Sequence, residues 1–230
     1  MTTAIFGAGT ILYVNKVDIH GWLKILTSTN KDAFLPEYTK VQITETKNMR
    51  THFKVLDGTN QGMLASLKEV NAKEYLGRKA PLQTGVVVRV KYGALREIES
   101  IAKHETFLQQ TATLSVEGIE ATVTLNTKLS PRYGKFTPIP NGMYNIGLPT
   151  PTHDNNMTSP YRTLIQHDLQ ADQIWFPIEY GNNSRFIHLG NISEGCVTVM
   201  SLDKWNAVYR KIISHRVPNT NYIGKIIISK

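Results

Sequence analysis

The chain has 230 residues, 41% hydrophobic and 19% charged, enough for one large domain or two small ones with their own cores. Its net charge of +8 comes from dispersed Lys and Arg with no basic run, which argues against a dedicated nucleic-acid binder and leaves a mildly basic surface. The single cysteine excludes an internal disulfide and the common structural zinc sites, and no segment approaches the ~20 apolar residues of a membrane span.

The first residues, Met1 to Gly7, lack the basic and apolar regions of a signal peptide. Short β-rich runs follow at Thr10–Val14, Gly21–Leu26 and Val41–Thr44, an alternation that predicts a small antiparallel barrel or sandwich. Gly21-Trp22-Leu23-Lys24-Ile25 resembles the Gly-Trp-x-x-Val segment of bacterial SH3-like domains. Trp22 suits a buried core position or, if exposed, a wall-peptide contact. His52 to Leu67 reads as a hairpin turning at Asp57-Gly58, because glycine tolerates positive φ. Lys68 to Leu76 reads as a short helix and Val86 to Tyr92 as a strand. The spacing of Leu95, Ile98, Ile101 and Ala102 predicts a second short helix, and a domain boundary is placed near residue 103.

The second half opens with two alternating runs, Ala112–Glu117 and Ile119–Leu125, joined at Gly118 as a hairpin. Thr137 to Ile146 carries turn chemistry at Pro140-Asn141-Gly142. Leu148 to Arg162 is rich in Pro, Thr, Asn and His, and reads as a lid or rim. Ile174 to Ile178 is an aromatic strand. Ser201 is the expected cap of a helix to Ser214, with Trp205, Val208, Tyr209, Ile212 and Ile213 as its buried stripe. Tyr222 to Ile228 closes the chain as a strand.

The most informative stretch runs from Phe186 to Val199. It holds the only cysteine, Cys196, with His188 eight positions upstream. Both sit beside β-type runs, Phe186–Leu189 and Val197–Val199, joined by a polar connection containing Gly190 and Gly195. Adjacent strands joined as a hairpin would bring an imidazole to a thiol and enrich the reactive thiolate.

Ser193-Glu194-Gly195-Cys196-Val197, with His188 upstream, resembles the active-site signature of the L,D-transpeptidase (YkuD-like) family: a His, a variable gap, then Ser/Thr-x-Gly-Cys and an aliphatic residue. Thr137-Pro138-Ile139-Pro140-Asn141-Gly142-Met143-Tyr144-Asn145-Ile146 is similar to the family's upstream Thr-Pro-x-Gly-x-Tyr/Phe-x-Ile element. The resemblance covers about residues 105–216. Three positions mark a divergent branch: Glu194 where most members have His, Thr198 where most have Arg, and a short His-to-Cys gap.

The resemblance implies a mainly β fold. A small SH3-like β-barrel region over residues 1–103, for wall or partner binding, would precede an L,D-transpeptidase-like β-sandwich with one or two helices over 104–230. It implies cysteine-dependent acyl transfer on peptidoglycan stem peptides, with Cys196 as nucleophile and His188 as base. The backbone at Leu189, or at neighbouring Gly190, would orient the ring. Gly195 and Cys196 supply candidate oxyanion donors, and Ser193 holds the turn or meets substrate. Tyr144, His153, Trp175 and Arg185 are the expected substrate contacts. No cofactor, metal or nucleic-acid partner is implied. The expected place of action is the periplasm or cell wall, reached through delivery machinery, a phage particle or a removed signal. The alternative is a non-catalytic wall-binding or phage or secretion-system structural module.

Overall fold

The computed structural model describes residues 6–101, 103–126, 137–150, 157–181 and 184–230. Among these, 46% lie in strands and 13% in helices, well under the ordinary helical share of about a third. The chain is mainly β. It divides into two compact units, Met1–Pro81 and Leu82–Lys230.

The first unit holds β1 (Ile11–Val14), β2 (Trp22–Thr27), β3 (Asp32–Pro36), β4 (Lys40–Lys47), β5 (Arg50–Val55), β6 (Leu64–Lys68), α1 (Glu69–Tyr75) and β7 (Leu76–Gly77). The strands form one antiparallel sheet in the order β3-β2-β6-β5-β4-β1-β7. Its order does not close, so an open seven-stranded sheet stands where a small barrel was expected. Leu12, Val14, Leu23, Ile25, Val41, Ile43, Phe53 and Val55 are its buried alternating positions. Trp22 is only 5% exposed, which makes it a core residue.

The second unit holds β8 (Val86–Glu99), β9 (Thr106–Val116), β10 (Ile119–Leu125), β11 (Gly142–Gly147), β12 (Phe176–Ile178), β13 (Arg185–Leu189), β14 (Val197–Val199), α2 (Leu202–Ile213) and β15 (Tyr222–Ser229). Its eight strands close into a barrel, β10-β14-β13-β12-β11-β15-β8-β9, in place of the expected sandwich. Closure removes every sheet edge, so each strand has two hydrogen-bonded neighbours. Two pairs are parallel, β13 with β14 and β15 with β8. The β9–β10 hairpin turns at Glu117-Gly118, both at positive φ (44° and 81°), the conformation that two-residue hairpin turns require.

Two expectations are corrected by β8. Residues 94–99 are strand and not helix. The strand buries Val86, Val88 and Val90 on one face, bulges between Tyr92 and Leu95, and then continues as a ribbon paired with β9. The bulge carbonyls are met from β9: Gln110 Nε2 donates to Gly93 at 2.8 Å, and Thr111 Oγ1 to Ala94 at 2.7 Å. The apolar spacing at Leu95 and Ile98 resembled a helix face, but cross-strand pairing decides. With β8 built into the barrel, the boundary falls at 81/82 and not near 103. Helix α2 buries Trp205, Val208, Tyr209, Ile212 and Ile213 as its spacing implied. Ser201 precedes it but makes no capping bond; its hydroxyl accepts the Thr122 N–H at 2.9 Å.

Candidate active site

The site is built where β13 and β14 run side by side. They pair in parallel, with Ile187 opposite Val197, His188 opposite Thr198 and Leu189 opposite Val199. The expected hairpin is therefore replaced by a tight parallel crossover through residues 190–196. Parallel neighbours usually need a connection of about a dozen residues or more. Here two glycines take backbone that other residues rarely adopt: Gly190 at φ 154° and Gly195 at φ 123°. A methyl at Gly190 would lie 2.8 Å from the Thr198 Cγ2 atom.

The crossover is pinned by polar side chains from outside it. Tyr161 lies in a short π-helical turn, Tyr161–Ile165, which begins at the end of the stretch expected to be a lid or rim. Its hydroxyl donates to Asn191 Oδ1 at 2.9 Å and accepts the Asn191 N–H at 3.2 Å. Burial raises the Tyr161 phenol further above its ordinary range, so it stays a donor at neutral pH. Asn191 Nδ2 reaches the Glu99 carbonyl at 2.6 Å. The Ser193 N–H donates to Gln109 Oε1 at 2.8 Å, and Gln109 is fully buried. Tyr161→Phe would strand the buried Asn191 N–H. The expected cost is about 1–3 kcal/mol, read as a lower urea midpoint at unchanged slope. An unchanged midpoint would show that the hydroxyl does not hold the crossover.

Ser193 serves the turn. Its hydroxyl donates to the Cys196 carbonyl at 2.7 Å and accepts the Gly195 N–H at 3.0 Å. That N–H, expected as an oxyanion donor, is thus engaged within the crossover.

The imidazole of His188 is fixed on three sides. Nδ1 faces the Leu189 carbonyl at 2.7 Å, and a carbonyl only accepts, so Nδ1 carries the proton. In the neutral ring Nε2 is then the acceptor, and it lies 3.2 Å from the Thr198 hydroxyl. The Trp175 indole stacks on the imidazole at 3.8 Å and 4° between planes, with Phe186 edge-on to the indole at 5.6 Å. Of the two orienting candidates, Leu189 supplies the carbonyl. Trp175, expected as a substrate contact, is buried against the histidine itself.

Cys196 is half-buried in the bend just before β14. Burial pushes its thiol up to about 11, against smaller lowering effects from a Phe186 backbone hydrogen bond and the Arg185 charge. This corrects the expectation of a thiolate enriched at rest: desolvation disfavours the anion, so the resting group is a thiol. Arg185 is buried and donates from Nη1 to the Ser184 carbonyl and hydroxyl at 3.3 and 3.2 Å. Tyr144 sits on β11, separated from β14 in the barrel by β12 and β13. Its hydroxyl donates to the Pro140 carbonyl at 3.0 Å and its ring meets Tyr180 edge-on. His153 lies outside the described residues. Glu194 forms an exposed pair with Lys103 at 3.4 Å.

Sequence reasoning passed over Thr198 as a contact of His188, and it missed Tyr161, Asn191 and Gln109. The signal for Gln109 was faint, a Gln-Gln pair inside an alternating strand. Asn191 directly follows Gly190 in the glycine-bearing connection. Among the described residues, no group of three or more His, Cys, Asp or Glu side chains could hold a metal ion, and no helix is long and apolar enough to cross a membrane. Comparison with protein-family models, curated proteins and solved structures finds no match to this chain.

Proposed function

We propose that the chain is a cysteine-dependent acyl transferase of the L,D-transpeptidase type, acting on peptidoglycan stem peptides. The observation that carries this reading is the Leu189 carbonyl on His188 Nδ1, which leaves Nε2 as the acceptor of a ring on β13, while Cys196 immediately precedes β14, the strand that pairs with β13. That is the orientation a general base needs, with its tautomer set by a backbone acceptor. The sequence pattern around Cys196 supplies the substrate class. On this reading the barrel unit is the catalytic domain, and the seven-stranded sheet binds wall or partner.

The thiol attacks the carbonyl of an L,D peptide bond while His188 takes its proton. The imidazolium then protonates the departing amine. An incoming amine or water resolves the thioester, giving transpeptidation, D-amino-acid exchange or carboxypeptidase action. Because the thiol rests protonated, His188 acts during the attack and not before it. Such an enzyme works in the periplasm or cell wall.

The deciding experiment incubates the protein with tetrapeptide muropeptides and follows terminal D-alanine by mass spectrometry. Release by the wild type and none by Cys196→Ser is the expected result. The raised thiol favours a second reading, a non-catalytic wall-binding or particle module that keeps the strand arrangement. Binding to wall sacculi without any release would establish it.

A further inference from the structure

β12 and β13 pair with Phe176 opposite Ile187 and Pro177 opposite Phe186, so one further step along the register sets Trp175 opposite His188. Directly opposed side chains on antiparallel strands lie about 4.5–5.5 Å apart at Cβ, close enough for two rings to meet. Here they stack, with centroids 3.8 Å apart and 4° between planes. Phe186 braces the indole edge-to-face at 5.6 Å. Trp175 and His188 are both only 8% exposed.

Burial by itself disfavours the charged form of a histidine. The contacts of this ring run the other way, because all three suit an imidazolium. Nδ1–H donates to the Leu189 carbonyl at 2.7 Å. A second proton, on Nε2, would meet the Thr198 hydroxyl 3.2 Å away, and a hydroxyl can turn to accept it. The indole offers the negative face of its π-system, which attracts a cation within about 6 Å. The two hydrogen bonds serve the neutral ring as well, whereas the cation–π attraction exists only for the charged one. The titratable and charged groups on the elements around the ring are Asp172, Tyr161, Arg185, Glu194 and Cys196. Asp172 is buried in the loop leading to Trp175. Arg185 carries the same sign as an imidazolium, and Glu194 is exposed and paired with Lys103. Tyr161 and Cys196 are neutral at pH 7.

We propose that Trp175 is a positioning residue for the charge on His188: the indole face holds the imidazolium and so lets a buried histidine take up and return a proton. This rests on the acyl-transfer reading for its part in catalysis and not for the stack itself.

The test follows the His188 Cε1–H resonance against pH by NMR, assigned among the seven histidines by its loss in His188→Gln. Trp175→Leu keeps an apolar neighbour and removes the π face. It is expected to lower the His188 midpoint by about 0.4–1.5 in pH, and Trp175→Phe, with a weaker face, by less. Replacing the tryptophans with a ring-fluorinated analogue keeps their shape while fluorine withdraws charge from the face. That substitution should also lower the midpoint, which a merely structural role would not do, and it decides the matter if the Trp175 variants fail to fold. A midpoint unchanged or raised by fluorination overturns the proposal. So does a wild-type ring still neutral at about pH 5, well below the ordinary histidine midpoint. A drop in Asp172→Asn with none on fluorination would show that a carboxylate holds the charge, and would also overturn it. Muropeptide turnover separates the two levels. Release of D-alanine with a midpoint indifferent to fluorination rejects the stack alone. A lowered midpoint without any release keeps the stack and rejects the peptidoglycan reading.

Discussion

Alkylation and acyl transfer at Cys196 should respond to pH and to His188 in opposite ways. Iodoacetamide reacts with the thiolate. With the thiol held near 11 by burial, the anion is a minor form at neutral pH, and its share grows about tenfold per pH unit until the midpoint is reached. The expected alkylation rate therefore climbs steadily from pH 7 to pH 10 and shows no plateau near pH 6. The single cysteine makes every such adduct on the intact protein assignable. Acyl transfer as proposed has a different requirement, because His188 would remove the proton as the bond forms. His188→Ala is expected to lower muropeptide turnover by about 10²–10⁴, the usual worth of a positioned general base. The same variant should leave alkylation at pH 10 nearly unchanged, since alkali then does the work of the base. Fast alkylation already at pH 6 would mean that a thiolate preexists and that desolvation does not govern this sulfur. Equal losses in both reactions would mean that the variant has disturbed the crossover and not the proton transfer.

Gly224→Ala should cripple the barrel. Gly224 lies opposite Val86 in the parallel β15–β8 pair. A methyl at that position would overlap the Val86 carbonyl oxygen and stand 2.5 Å from the Val86 nitrogen. Those atoms are backbone within a hydrogen-bonded ladder, so no rotamer change relieves the clash. β8 and β15 must separate, and the closed sheet loses one of its seams. Overpacking in cores costs about 1–3 kcal/mol where side chains can yield; here about 3 kcal/mol or outright failure to fold is expected. Gly118→Ala is the contrast. It sits at positive φ in an open turn with nothing within 4 Å of an added methyl, so it meets backbone strain alone. Chemical denaturation of both variants checks the difference. A Gly224→Ala protein as stable as Gly118→Ala would disprove the close approach.

Some of this protein was settled by sequence-local physics. The alternation of Val86, Val88 and Val90, of β9 and β10, and of the first unit's strands made a mainly β chain legible, because a half-buried strand needs period two. The α2 stripe was legible for the matching reason at period 3.6. Gly118 announced its hairpin because such a turn needs positive φ. His188 and Cys196 stood out as neighbours because both flank a short connection between strand-like runs. Closure was not legible. Whether strands close a barrel or stack as a sandwich depends on pairings such as β15 with β8, which join residues more than 130 positions apart. The same long-range pairing turned residues 94–99 into strand and moved the domain boundary to 81/82. The direction of β14 beside β13 was likewise hidden, since a short connection with two glycines suits a hairpin as well as a parallel crossover. The chemistry of the site followed from these tertiary facts. Parallel register put Thr198 against His188, the barrel wall set Trp175 flat on the imidazole, and packing around the sulfur raised the thiol. Sequence could single out Cys196 and His188, but their desolvation and hydrogen bonding depend on which distant side chains surround them.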